Sequence, residues 1–308
     1  MAVVIDLPKE RLNKIKLADW LEVNALLDKD NSSSIEDLAS KLKIEYADRE
    51  TTIENLKTDV SSELLSRLRK LDKVYPFRFN GKLVEVKNKK PNKNHWAYLF
   101  CLLVSYVGLE KGAKELKVWD KQKTSDLFEK LSSLVAENFL SSKEVNAQSL
   151  QFGAPRNSWT QDKKPFRRAL EFLKIKVNEG DIKNNSNASQ KKDAGLDIVA
   201  WRPFPDGRKS KLFLLGQCAA GNNFKSKKRE IKELQQYYSF WDMPGIIFSF
   251  FVPHEVDESD WQDFYYPDVG ILFDRSRIAF WAQEWNGEWF KTKLPTIYKR
   301  LQRYGKAL

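Results

Sequence analysis

The sequence predicts an α/β protein: a mostly helical N-terminal part over residues 1–120 and an α/β core with a mixed sheet over 121–308. Three observations predict it. Apolar residues in the first seventy positions recur at helical spacing. From about residue 124 on, the pattern changes to helix, strand, helix, hairpin, helix, strand, hairpin, an order that suits helices packed on a mixed sheet. The 308 residues are 42% hydrophobic and 13% aromatic, enough to bury a core of that size.

The elements follow in order. Ile35, Leu38 and Leu42 keep helical spacing behind the cap-like run Ser32–Ser34. Ile53, Leu56, Val60, Leu64 and Leu68 make a longer stripe. FRFNGKLVEV, residues 77–86, reads as a hairpin turning at Asn80-Gly81. KNKKPNKN, 87–94, is a basic loop, by default solvated and otherwise a phosphate contact. Trp96–Leu109 is the longest apolar run. It is too short to span a bilayer and reads as a buried helix. TSDLFEKLSSLVAENFL predicts a helix capped by Thr124 or Ser125, with Leu127, Phe128, Leu131, Leu134 and Val135 along one face. Residues 148–153, QSLQFG, read as a short strand. PFRRALEFLKIKVNEG is a second amphipathic helix, followed by a mobile polar loop, DIKNNSNASQKK. KSKKREIKELQQYYSFW predicts another helix, GIIFSFFVP an apolar strand, and DVGILFDRSRIAFW a last hairpin turning near Arg275-Ser276. The C-terminal segment is aromatic and basic.

The net charge of +11 points to a polyanionic partner, most simply nucleic acid. The alternative is that lysines scattered along the chain only keep it soluble. The two cysteines, Cys101 and Cys218, sit in apolar surroundings with no CxxC or Cys/His cluster, so structural zinc is not expected. His95 and His254 are the only histidines, too few for a His-based triad or a His-rich metal site. The N-terminus lacks the apolar core of a signal peptide, and the expectation is a reduced, cytoplasmic protein without a membrane segment.

The most informative stretch is DAGLDIVAWRPFPDGRKSKLFLLGQCAAG, residues 193–221. Pro205, Asp206 and Gly207 mark a turn between two strand-like runs. Asp197 precedes Gly207 by as many residues as Gln217 follows it, so the two face each other across an antiparallel pair, on one face and about 5 Å apart at Cβ. The bland reading is a strand-start cap and a loop hydrogen bond. Two polar side chains converging at the ends of apolar strands, beside Gly216 and Gly221, also fit a site.

This order of elements, with LFEKL on a helix, GLD on one strand and GQCAAG on its partner, resembles the restriction-endonuclease-like PD-(D/E)xK nuclease superfamily over roughly residues 124–253. The string from FGAPR to GQCAAG also looks like bacterial proteins of anti-phage defence. The resemblance implies a nuclease-like domain over 121–308 and metal-dependent hydrolysis of DNA phosphodiesters. It implies Mg²⁺ or Mn²⁺ as cofactor, held by Glu129, Asp197 and Gln217, with Gln217 in the position of the second acid. Glu179 competes with Glu129 as the further acid. The family lysine falls at Ala219, and a lysine migrated to the next helix, Lys227 first and Lys225 second, would replace it. Arg156, Lys225, Lys228 and Arg229 are the candidate phosphate contacts. The implied partners are DNA and a further protein of a defence complex, such as an ATPase; a homo-oligomer stays open. Ala219 also feeds a second reading, a catalytically inactive nuclease fold that binds DNA or protein. A third makes the helical N-terminal part an interaction module, with the enzyme elsewhere in the assembly.

Overall fold

The computed structural model describes residues 13–45, 50–88, 91–154, 156, 159–163, 165–221, 224–227, 230–239, 245–262 and 269–304. The chain is a mixed α/β protein with a mixed five-stranded sheet. Among the described residues, the helices of six residues or more are α1 (Lys14–Leu27), α2 (Ile35–Glu45), α3 (Glu50–Leu71), α4 (Trp96–Val107), α5 (Leu109–Lys114), α6 (Lys121–Leu140), α7 (Phe166–Val177), α8 (Arg275–Trp281) and α9 (Glu288–Tyr304). Its strands are β1 (Ser32–Ser34), β2 (Phe77–Phe79), β3 (Leu83–Val86), β4 (Gln148–Gln151), β5 (Asp181–Ile182), β6 (Ile198–Arg202), β7 (Leu212–Cys218), β8 (Tyr238–Ser239), β9 (Ile246–Phe251) and β10 (Ile271–Phe273). Two compact units result. The first takes residues 1–124, 253–257 and 275–308; the second takes 125–252 and 258–274. Residues 253–257 and 275–308 thus join the N-terminal part, where the sequence placed them with the core.

In the first unit α1 is buried nearly all round, so it has no polar face for a helical stripe to reveal. α2 starts with a reciprocal cap: Asp37 N–H donates to Ser34 Oγ at 2.9 Å, and Ser34 N–H to Asp37 Oδ2 at 3.1 Å. The expected 77–86 hairpin forms, with Gly81 at φ +89°, and β1 adds to it in the order β1-β3-β2. α4 is the buried apolar helix expected from Trp96 on. No helix among the described residues is long and apolar enough to cross a membrane.

The second unit is built on the sheet β10-β9-β7-β6-β4, with β4, β6 and β7 antiparallel and β7, β9 and β10 parallel. Alternation along the strands separates its two faces. Val199, Trp201, Phe213 and Leu215 pack with Phe166, Leu170, Leu173 and Val177 of α7. From the other face of β4, Ser149 Oγ donates to Glu137 and Gln151 Nε2 to Glu129, both on α6. A helix, a sheet and a helix therefore stack within this unit.

Four expectations are corrected here. α6 begins at Lys121, not at Thr124 or Ser125, because Asp120 Oδ1 accepts the Lys123 N–H at 2.8 Å. The polar loop after Gly180 is ordered: β5 pairs with β8, and Ala188 is buried within a 3₁₀ turn. The described residues between Phe224 and Gln236 form two 3₁₀ turns, not an α-helix; the cationic run Lys225, Lys227, Lys228, Arg229 would set like charges three and four residues apart in a helix. The last hairpin is a parallel strand, β10, followed by a helix, α8. Arg275, Ile278, Ala279 and Ala282 are buried at helical spacing, which no strand period would bury together.

Candidate active site

The β6–β7 ladder runs from Arg202↔Leu212 to Ile198↔Gly216, so the register expected about Gly207 holds and Asp197 and Gln217 follow as the next positions outward. Gly207 N–H donates to Phe204 O at 3.0 Å and Gly207 has φ +65°, which makes the Pro205-Asp206 turn.

Asp197 is clamped by its backbone. Its carbonyl accepts the N–H groups of Phe152 at 2.7 Å and Gly153 at 3.0 Å, and its own N–H donates to Gly216 O at 2.9 Å. Its Oδ2 accepts the Cys218 N–H at 2.7 Å. Glu129 reaches the same place from α6, with Oε2 accepting from Gln151 Nε2 at 2.8 Å; that amide also donates to Asp126 Oδ1 at 3.0 Å. The two carboxylates converge on Gly153. A Cβ at that position would meet Asp197 Oδ1 at 2.7 Å and Glu129 Oε2 at 2.9 Å. Asp193 stands nearby, accepting the N–H groups of Gly195 and Ala154.

This crowding of acids shows in their titration. Burial raises the Asp197 carboxyl well above the usual carboxylate range, the Glu129 charge adds to it, and the Cys218 N–H and the Lys227 cation oppose it. Burial, against the Gln151 hydrogen bond, pushes Glu129 up to about 7, with Asp126 and Asp193 adding and Arg156 opposing. Both groups keep part of their surface accessible, yet removal from water is the leading cause for each. Two acids whose anionic forms disfavour each other in a partly dry site make this the candidate functional position.

The other predicted residues sort as follows. Lys227, in the 3₁₀ turn Phe224–Lys227, lies close enough to act on Asp197 electrostatically. Gln217 is buried, on the side that alternation gives to Phe213 and Leu215, while the fixed contacts of the Asp197 carboxylate run to Cys218, Gly153 and Glu129. Arg156 is not an outward phosphate contact. It is 4% exposed, its Nη2 donates to Lys192 O at 2.7 Å, and its guanidinium lies 4.6 Å over the Phe152 ring. The charges of Asp193, Asp197 and Glu129 act on it, so it offsets the acids from inside. Glu179 is not a member of the site. Its carboxylate accepts the Ser210 N–H at 2.8 Å and the Lys211 N–H at 3.3 Å. That is the far end of the hairpin, about 20 Å of strand from Asp197. The side chain of Lys225, and all of Lys228 and Arg229, lie outside the described residues. Sequence reasoning missed Asp126, Gln151 and Gly153. The i, i+3 spacing of Asp126 and Glu129 is a signal for the first; the others become visible only once β4 lies beside β6.

Among the described residues no group of three or more His, Cys, Asp or Glu is gathered for a metal. The donors gathered at Gly153 are the carboxylates of Asp197 and Glu129, a pair within the habits of Mg²⁺, which uses one or two carboxylates; the expected Gln217 amide is not among them. No family model, curated protein or solved structure matches the chain.

Two expected results arise from this geometry. Gly153→Ala places a methyl group where both carboxylates stand. Their side chains give way, so thermal unfolding should show a loss of roughly 1 kcal/mol or less, while any activity that needs both acids drops about 10²-fold, the scale of a 1 Å misplacement. Equal losses in fold and activity would contradict this. For Glu129, the folded-state value of about 7 lies above the ordinary 4.5. The folded chain therefore holds the proton more tightly; its stabilising contribution is complete below about pH 4.5 and is lost as pH rises through 7. Without metal, Glu129→Gln should be more stable than wild type by about 2–3 kcal/mol at pH 8 and equal to it near pH 4.5, by urea unfolding. A difference independent of pH would sink this reading.

Proposed function

We propose that the second unit hydrolyses DNA phosphodiester bonds with Mg²⁺ or Mn²⁺, as the nuclease effector or nuclease subunit of a prokaryotic anti-phage defence system. The observation that carries it is the meeting of Asp197 and Glu129 at Gly153, with the Lys227 cation acting on Asp197. Asp197 and Glu129 would hold the divalent ion, which supplies Lewis-acid polarisation of the phosphate and a more acidic water; Gln217, on the Phe213 and Leu215 side of the strand, is not brought to them. The chain's own groups do the rest. The Cys218 N–H fixes one Asp197 oxygen and leaves the other facing Gly153. Gln151 holds Glu129 beside Asp197. Lys227 supplies positive charge for the phosphoryl oxygens as negative charge builds on them. Cytoplasmic location and an ATPase-type partner belong to this proposal.

Ala219 favours the second reading, an inactive nuclease fold that binds DNA or protein. It is buried, its N–H donates to Phe251 O at 2.9 Å, and it brings no charge. The test is incubation of the full chain with plasmid and phage DNA in Mg²⁺, Mn²⁺ or EDTA. Cleavage that needs the metal, is lost in Lys227→Ala and leaves DNA binding intact supports the catalytic reading. Binding without cleavage under any divalent ion selects the second reading.

A further inference from the structure

We propose that the basic face of α9 in the first unit, with the 115–123 segment, is a separate binding site for single-stranded nucleic acid. α9 carries two stripes. Phe290, Leu294, Ile297 and Leu301 recur at helical spacing and are buried. Trp289, Lys293, Thr296 and Arg300 recur at the same spacing on another side and, with Lys117 and Lys123, wall a cavity of about 370 Å³. A second cavity of the same size shares Lys117 and Arg300 and continues to Arg303. Among the described residues that line the two cavities, the acids beside Lys117, Lys123, Lys293, Arg300 and Arg303 are Asp120 and Glu115. Asp120 is already engaged in capping α6. Among the described residues none of the five cations is in an ion pair, whereas neighbouring Lys121 and Lys114 both pair with Glu110.

The shape of the patch selects the ligand. From Lys293 to Arg303 the cations span about 15 Å along the helix axis, longer than one phosphate and suited to a row of them. Trp289 at the head of the row is only partly buried, whereas Trp119 opposite is fixed, its Nε1 donating to Leu109 O at 3.2 Å. An available aromatic face beside a cationic track is the combination that binds single strands, one base stacking while the backbone follows the charge. A duplex keeps its bases stacked inside and has no face to give Trp289.

The site does not depend on the carboxylate site of the second unit, and its test separates the two. The full chain in EDTA is titrated into a fluorescein-labelled oligothymidylate of about 16 nucleotides, followed by polarisation and by tryptophan fluorescence. Lys293→Glu with Arg300→Glu, both exposed, should weaken binding by about 100-fold and flatten the salt dependence, by about 0.7 in log–log slope for each lost phosphate contact. Trp289→Ala should weaken it about tenfold and remove the fluorescence change, and Trp289→Phe should restore most of the affinity. Wild-type affinity in the charge-reversed chain would overturn the proposal, whatever Asp197 variants do to cleavage. So would anionic phospholipid vesicles bound as tightly as the oligothymidylate, a charge-reversed chain that loses duplex DNA as severely as it loses the oligothymidylate, or a Trp289→Ala chain that binds like wild type.

Discussion

Arg67→Met should cost the first unit about 3–5 kcal/mol, the loss that follows removal of one partner from a buried ion pair. Arg67 is 1% exposed, and its guanidinium donates to Asp19 at 2.7 Å, Glu22 at 2.9 Å and Glu63 at 2.8 Å. Arg275, from α8, completes the cluster with a two-pronged contact to Asp19 at 2.7 Å on each oxygen. Tyr75 and Tyr98 donate to Glu22 at 2.6 and 2.9 Å. Burial by itself would raise Asp19, but Arg275 and Arg67 hold it below the ordinary range. For Glu22 burial prevails, against the attraction of Arg67, and its carboxyl is raised. Without Arg67, Glu22 keeps only its tyrosines and the more distant Arg275, 3.9 Å away. Adding Glu22→Gln to Arg67→Met should recover part of the loss, because the stranded charge goes with it. Urea unfolding of the two chains measures both. A single-variant loss below about 1 kcal/mol would mean that the cluster is as weak as a surface pair.

Asp197→Asn should lower cleavage by on the order of 10³, about 4 kcal/mol of transition-state stabilisation, while binding in EDTA stays within about twofold. The amide keeps the size of the side chain, and Oδ1 can still accept the Cys218 N–H. What disappears is the charge. That charge is the disfavoured form in the metal-free chain, so Asp197→Asn should be at least as stable as wild type at pH 8. Lost activity with unchanged or higher stability is the signature of a residue held for chemistry at a cost to the fold. Lost activity with a comparable loss of stability would instead make Asp197 a structural acid. Cleavage that survives the change would remove Asp197 from the reaction.

The sequence by itself determined what local pattern and turn chemistry can determine. The Pro205-Asp206-Gly207 turn and the apolar alternation around it placed Val199 opposite Leu215 and brought Asp197 level with Gln217, because a strand has only two faces and a turn sets the register. The stripes of α2, α3, α6 and α7 and the Asn80-Gly81 hairpin were legible for the same reason. Tertiary structure decided the rest. α1 gave no stripe because protein surrounds it, and its Asp19 and Glu22 are tolerated only because Arg67 and Arg275, 48 and 256 residues away, arrive beside them. Arg275 looked like a turn residue until that contact drew it into a buried helix. Glu129 matched the helix acid of the resemblance, and Glu179 competed with it as a further acid at the end of a helical segment. Packing put Glu179 on the backbone N–H groups of Ser210 and Lys211, and Glu129 against the one glycine that leaves room for two carboxylates. No sequence period encodes that distinction, because it depends on which backbone of another element comes within hydrogen-bonding distance.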